Sequence, residues 1–205
     1  FEWRHKILAA IRALEGGISF SGIVEADELL MSYSEKGRKF KSKEEYRRAK
    51  KKKHPKVAVL VVTDREGNLL FKQVGEKKVK NEQLREELKN RLSESNLICV
   101  KPKKEFRKAV KSLQSKKVIV NKRQIKRGIY SVKIVESKIS DFKTWLTRFH
   151  GVATKYLQSY LMWFVIMSKY LKELIDPDIG RLLNLSSHDR WAWDKYREIV
   201  SQMYD

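Results

Sequence analysis

The chain has 205 residues, 41% of them hydrophobic and 10% aromatic, which excludes a disordered chain and is enough for a folded core. Its 46 Lys and Arg exceed its 25 Asp and Glu, which gives a formal net charge of +21. This charge indicates binding to nucleic acid, to an acidic partner or to a membrane surface, and nucleic acid is the favoured partner. The single cysteine, Cys99, excludes an internal disulfide and a Cys-rich zinc site.

The first predicted elements are a helix over residues 1–14, ended by a glycine pair, and a strand over residues 23–30. The strand is apolar apart from three acids, Glu25, Asp27 and Glu28. Buried charges are costly unless they are paired or hold a metal, so these acids indicate a site. Glu25 and Asp27 would share one face of the strand, with Glu28 on the other. The alternative is an edge strand with one face in solvent.

A strongly basic insert, residues 32–56, follows this strand. Its lysines and arginines are interleaved with Tyr33, Phe40 and Tyr46. The insert is either a solvated loop or an arm that contacts phosphates, because clustered cations release counterions on binding DNA. Its candidate DNA-binding residues are Arg38, Lys39, Lys41, Arg47, Arg48, Lys51, Lys52 and Lys53.

The remaining pattern predicts a mixed sheet with helices on its faces. Strands are expected over residues 56–64, 69–74, 97–100 and 117–120, and helices over residues 81–92, 102–113, 131–149 and 152–175. Charged residues interrupt the last helix, so we expect it in the core and not in a membrane. A second basic block supplies the candidate DNA-binding residues Lys122, Arg123, Lys126 and Arg127.

Three segments carry a family resemblance: Trp3-Arg4-His5-Lys6-Ile7-Leu8, Gly22-Ile23-Val24-Glu25-Ala26-Asp27-Glu28 and Phe149-His150-Gly151-Val152-Ala153-Thr154-Lys155-Tyr156-Leu157. They resemble insertion-sequence DDE transposases, the prokaryotic relatives of eukaryotic Merlin elements. The resemblance covers roughly residues 1–165 and implies an α/β fold: an RNase H-like mixed sheet flanked by helices, with a helical C-terminal extension. By this likeness, residues 1–17 end an N-terminal DNA-binding region, residues 18–175 form the transposase domain, and residues 176–205 form the extension. The zinc ribbon and helix-turn-helix usual in the family would lie upstream.

The resemblance also implies catalytic positions. Asp27 matches the first catalytic aspartate, Glu136 the third acid, and Lys143 the basic residue seven positions later; Asp27 and Glu136 would hold Mg²⁺ or Mn²⁺ in an active site. At the central aspartate stands Lys101, followed by Pro102. Because an ammonium removes a ligand and adds positive charge, we expect Lys101 to neutralise Asp27 and Glu136 in the metal's place. The alternative is that Lys101 points into solvent.

These observations predict a transposase-derived DNA-binding protein with a degenerate active site that needs no metal cofactor. Two alternatives stay open: an active Mg²⁺-dependent transposase in which Glu105 replaces the missing ligand, and an oligomeric scaffold whose interface includes Trp191 and Trp193. The expected partners are DNA and, by the resemblance, a second or further copies of the chain; no membrane and no small-molecule substrate is expected. The expected location is cytoplasmic, with nucleoid association in a prokaryote.

Overall fold

A computed structural model describes residues 2–13, 17–51, 56–113, 116–120, 126–127 and 129–170. Its main feature is a five-stranded sheet in the order β3-β2-β1-β4-β5. The strands are β1 (Ile23–Met31), β2 (Val57–Asp64), β3 (Leu69–Glu76), β4 (Leu97–Val100) and β5 (Lys116–Ile119). β1, β2 and β3 pair antiparallel, whereas β4 runs parallel to β1 and β5 parallel to β4. The predicted mixed sheet is therefore confirmed.

The acidic strand β1 lies in the centre of this sheet, because β2 pairs with one of its edges and β4 with the other. The alternative of an edge strand is therefore wrong. β4 is much shorter than β1: its last residue, Val100, pairs with Ala26, so Asp27 is the first residue of β1 beyond the end of β4. The residues that follow β4 can therefore reach Asp27 from the side.

Helices pack on both faces of the sheet, and the described residues contain six α-helices in all. They are α1 (Glu2–Ala13), α2 (Lys43–Lys51), α3 (Asn81–Lys89), α4 (Lys104–Lys111), α5 (Lys133–Thr147) and α6 (Leu157–Tyr170). α3 and α4 pack their apolar residues on one face, through Leu84, Leu88 and Phe106 among others. α5 and α6 pack on the other face, where Cys99 is buried as expected. α1 lies outside α6 and packs Leu8 and Ile11 against it.

The structure also contains elements that the sequence did not predict. α2 lies within the basic insert and buries none of its residues, so no apolar periodicity announced it. A short hairpin, β6 (Lys126–Arg127) with β7 (Tyr130–Ser131), precedes α5. α6 is preceded by a 3-10 turn, Thr154–Tyr156, in place of the helical start expected at residue 152. The expected C-terminal helices, with Trp191 and Trp193, lie outside the described residues.

α6 is a core helix, because Leu161 and Met162 are almost fully buried between the sheet side and α1. Within the described ranges, no helix combines the length and the apolar composition needed to cross a membrane.

Candidate functional site

Asp27 is the centre of the candidate site. Its carboxylate is nearly buried, with 4% of the residue exposed, at the point where β1 continues past β4. One oxygen, Oδ1, accepts hydrogen bonds from the Glu28 backbone N–H at 2.8 Å and from Lys103 Nζ at 3.1 Å. The other, Oδ2, lies 2.6 Å from Lys101 Nζ. Both oxygens of Asp27 are thus engaged by ammonium groups.

Lys101 connects Asp27 to α5. Its Nζ lies 2.6 Å from Oδ2 of Asp27 and 2.6 Å from Oε1 of Glu136, so the ion pairs predicted for Lys101 are confirmed. The alternative in which Lys101 points away into solvent is wrong. Burial lowers the pKa of Lys101, but hydrogen bonds and charges from Asp27 and Glu136 outweigh it and leave the pKa raised. Lys101 is therefore a cation at neutral pH.

A second lysine, Lys103, joins the site, and the sequence did not predict this contact. Its Nζ is 3.1 Å from Asp27 and 2.9 Å from Oε1 of Glu28. Glu28 points to the opposite face of β1, where it also accepts a hydrogen bond from the Val79 backbone N–H at 3.2 Å. Lys103 reaches acids on both faces because β4 has ended and no strand separates them. The only feature of the sequence that could have indicated these contacts is the presence of a second lysine two residues after Lys101.

Glu25, the remaining acid of β1, has a structural role. It is fully buried and accepts hydrogen bonds from the Ser131 hydroxyl at 2.9 Å and from the backbone N–H groups of Ile134 and Val135 at 2.8 and 3.1 Å. The first N–H groups of a helix have no partner within the helix, so Glu25 caps α5 from a neighbouring strand. In this way it fixes the helix that carries Glu136.

Asp27 and Glu136 in this arrangement do not fit a divalent metal ion. The Lys101 ammonium lies between the two carboxylates that would coordinate the ion, and a metal there would meet its positive charge. Among the described residues, no group of three or more His, Cys, Asp or Glu side chains is arranged to hold a metal. Glu105, the candidate replacement ligand, pairs with Lys78, whose hydrogen bond lowers the pKa of Glu105. Glu105 is therefore engaged by Lys78 in this structure.

The other candidate residues that the structure describes lie outside this cluster. Lys143 is exposed on α5, two turns after Glu136 and about 10 Å further along the helix axis. In the basic insert, Arg38 pairs with Glu35 and Glu45 at 2.9 and 3.1 Å. Lys39, Lys41, Arg47, Arg48 and Lys51 are exposed, and Lys126 and Arg127 form β6. Lys52, Lys53, Lys122 and Arg123 fall outside the described residues.

Comparison with protein families gives a match over most of the chain. The family model described as ISXO2-like transposase domain matches residues 19–167. This range contains the whole five-stranded sheet together with α5, and hence Asp27, Lys101 and Glu136. No curated protein and no solved structure is similar enough to match the chain.

Proposed function

Because the chain belongs to the ISXO2-like transposase domain family and has its RNase H-like α/β fold, we propose that it is a transposase-derived DNA-binding protein without cleavage or strand-transfer activity. The observation that carries the proposal is the Lys101 ammonium, 2.6 Å from both Asp27 and Glu136. Two-metal nucleases use such carboxylates to hold the ions that activate water and stabilise the leaving oxygen. In this chain, Lys101 forms ion pairs with the carboxylates at these positions, those of Asp27 and Glu136.

The charges of the cluster support this proposal. Three carboxylates, those of Asp27, Glu28 and Glu136, face the two ammonium groups of Lys101 and Lys103, so the acids are largely neutralised without a metal. A divalent ion about 4 Å from one ammonium would be repelled by about 8 kcal/mol at an effective dielectric constant of about 20. Metal binding would therefore require the lysines to leave the carboxylates.

Thermal unfolding in a Mn²⁺ titration tests the loss of the metal site. A ligand that binds only the folded state raises Tm by mass action, by about 2.7 kcal/mol of stability at 100 times its Kd. We expect Lys101→Asp to be stabilised by Mn²⁺ and the wild type to be unaffected. Lys104→Asp is the matched control, because it makes the same charge change at an exposed position outside the cluster.

A rise in the Tm of the wild type with Mn²⁺, or of Lys104→Asp as much as Lys101→Asp, would overturn the proposed loss of metal binding. A Mn²⁺-dependent cleavage assay on a DNA duplex would then measure the remaining activity.

DNA binding is supported by the formal net charge of +21 and by the exposed cations of the insert. For duplex DNA, the logarithm of the binding constant falls with the logarithm of salt by about 0.9 for each phosphate contacted. Fluorescence anisotropy with a labelled duplex between about 50 and 200 mM salt measures this slope. A wild-type protein without salt-dependent affinity for DNA would contradict the proposal and favour the scaffold function.

A further inference from the structure

A cleft of about 440 Å³ lies at the other end of α5 from Glu136. Its wall comes from α1, from the start of the basic insert, from the C-terminal end of α5 and from the turn that leads into α6. Four of its lining residues are the cations Arg4, Lys36, Arg148 and Lys155, and no Asp or Glu is among the described residues that line it. The cleft is therefore strongly positive.

The cleft is held in shape by hydrogen bonds between distant parts of the chain. Lys36 Nζ donates to the backbone carbonyls of Phe149, His150 and Gly151 at 3.1, 2.9 and 2.9 Å. Next to it, Ser34 and Thr154 exchange two hydrogen bonds of 2.9 and 2.8 Å. These contacts tie the insert to the end of α5 and hold the wall of the cleft in place.

Lys36 is occupied by these carbonyls, whereas the other three cations have no acidic partner among the described residues. Within the part of the chain that the structure describes, no carboxylate forms an ion pair with Arg4, Arg148 or Lys155, and all three are exposed. The guanidinium of Arg4 lies 3.5 Å from the Tyr160 hydroxyl, which is an uncharged partner. This is the opposite of the acidic cluster, where each lysine is matched by a carboxylate.

His5 lines the inner wall of this cleft, and its pKa responds to the positive charge there. It is 5% exposed and packs against the Tyr156 ring, with ring centroids 4.2 Å apart. Burial lowers the pKa of His5, and the charges of Arg4 and Lys155 lower it further. An anion in the cleft would oppose this effect and raise the pKa of His5 again.

We propose that this cleft binds a phosphate of the DNA backbone through Arg4, Arg148 and Lys155. The inference rests on the proposed DNA binding and names a second contact surface beside the insert. Arginine suits this ligand because its planar guanidinium donates two parallel hydrogen bonds to phosphate oxygens. Tyr156 and Tyr160 are only 8% and 5% exposed, so these two residues of the cleft do not present a platform for stacking bases. The contact is therefore independent of DNA sequence.

The length of α5 relates this contact to the acidic cluster. Glu136 and Arg148 are twelve residues apart, which corresponds to about 18 Å along a helix. A DNA strand spaces its phosphates by about 3.4 Å along the duplex axis, so this distance spans about five phosphates. A duplex that lies along α5 would reach both ends and pass Lys143 between them.

Duplex binding by paired charge-removal variants tests the proposal. The cleft variant is Arg148→Gln with Lys155→Gln, and its matched control is Arg85→Gln with Lys89→Gln, which removes two exposed cations from α3 on the opposite face of the sheet. Because the cleft variant lacks two of the three cations that would bind this phosphate, we expect its salt slope to be smaller by about 0.9 than that of the wild type, the share of one phosphate. The control should keep the wild-type slope.

The outcomes separate the two proposals. A wild type that does not bind the duplex at all refutes the proposed function itself. A wild type with salt-dependent binding, together with equal slopes for the cleft variant and its control, refutes the cleft and leaves the proposed function standing. Unchanged Tm values for both variants show that the comparison concerns folded proteins.

The NMR titration of His5 gives a second, local measurement, with His5→Gln used to assign the signal. We expect saturating duplex to raise the pKa of His5 in the wild type and in the α3 control, and to raise it less in the cleft variant. An unchanged pKa of His5 in the wild type would refute the proposal. Millimolar inorganic phosphate that raises the pKa as much as the duplex does would show a general anion site and refute the assignment to DNA.

Discussion

The two lysines of the acidic cluster hold different parts of the fold. Lys101 joins Asp27 of β1 to Glu136 of α5, whereas Lys103 joins two acids of β1, Asp27 and Glu28. Removal of Lys101 leaves two carboxylates from different elements facing each other without the cation between them. Removal of Lys103 still leaves Asp27 paired. The tertiary contact between the sheet and α5 therefore depends more on Lys101.

We expect Lys101→Ala to lower the free energy of unfolding by about 1–3 kcal/mol at neutral pH, the usual cost of a buried acceptor that loses its partner. Lys103→Ala should cost less, because Lys101 still neutralises Asp27. Urea unfolding of both variants, with Lys104→Ala as the exposed control, measures the difference. A Lys101→Ala protein as stable as the control would show that the ion pairs do not hold α5 to the sheet.

Because the pKa of Lys101 is raised in the folded state, its contribution to the free energy of unfolding depends on pH. A group whose pKa is higher in the folded state stabilises the protein fully below its ordinary pKa, here 10.5, and this stabilisation is lost as the pH rises through the folded-state value. The difference in unfolding free energy between the wild type and Lys101→Met should thus be constant around neutral pH and shrink only in the alkaline range above 10.5. Urea unfolding across this range measures it. A difference that already shrinks near pH 8 would contradict the charged state of Lys101.

At the scale of elements, the position of α5 depends on a residue of the sheet. The caps of helices are commonly residues of the same segment, but the N-cap position of α5 is Val132, which has no polar side chain. Glu25 of β1 supplies the acceptor instead, and Arg65 lies 3.4 Å from its Oε1 on the other side. The first turn of α5 and the central strand are therefore coupled.

We expect Glu25→Ala to destabilise the protein by about 2–3 kcal/mol, because it removes a cap and leaves two N–H groups of α5 without their acceptor. Hydrogen exchange should speed up at Ile134 and Val135 more than in the middle of α6. Glu25→Gln is the matched variant: its remaining carbonyl oxygen still accepts, so its loss should be smaller. Equal exchange in the first turn of wild type and Glu25→Ala would show that the cap is not needed.

The elements also show how far the sequence could predict this structure. β2 could be predicted because all eight of its residues are buried and most of them form an apolar run. α5 could be predicted because its apolar residues recur at helical spacing. The partners of Lys101 were predicted from the family resemblance and the end of β4. Lys103 was missed because its contact depends on the register between β4 and β1, which a single sequence does not encode. The meeting of residues 4–5 with residues 148–156 in one cleft is likewise a tertiary fact that no local pattern contains.

For the whole molecule, the net charge of +21 does not show which cations are available to a partner, because some of them are paired with carboxylates and others are not. Lys101, Lys103 and Arg38 are neutralised by carboxylates. The other exposed cations of the insert, and those of the cleft, are not matched in this way among the described residues. Since Lys36 and Ser34 tie the insert to the turn after α5, the start of the insert forms part of the wall of the cleft.

This arrangement predicts that the insert and the cleft contribute to one DNA-binding surface. Arg47 and Lys51 are four residues apart on α2 and thus lie on one side of the helix, and α2 buries none of its residues. Arg47→Gln with Lys51→Gln should therefore leave Tm unchanged and reduce the salt slope for duplex DNA by about 1.8. Combined with Arg148→Gln and Lys155→Gln, the two reductions should add, because independent contacts at separate sites are additive.

Anisotropy titrations of the two double variants, the fourfold variant and the Arg85→Gln, Lys89→Gln control at several salt concentrations measure these slopes. A fourfold variant with a slope no smaller than that of either double variant would mean that one duplex does not contact both regions at once. An insert variant that behaves like the control would restrict DNA contact to the cleft. Full additivity would require a single duplex to extend from α2 past the C-terminal end of α5. The phosphates bound by α2 and the phosphate bound by the cleft both contribute to the salt slope only if one duplex contacts both regions in the same complex.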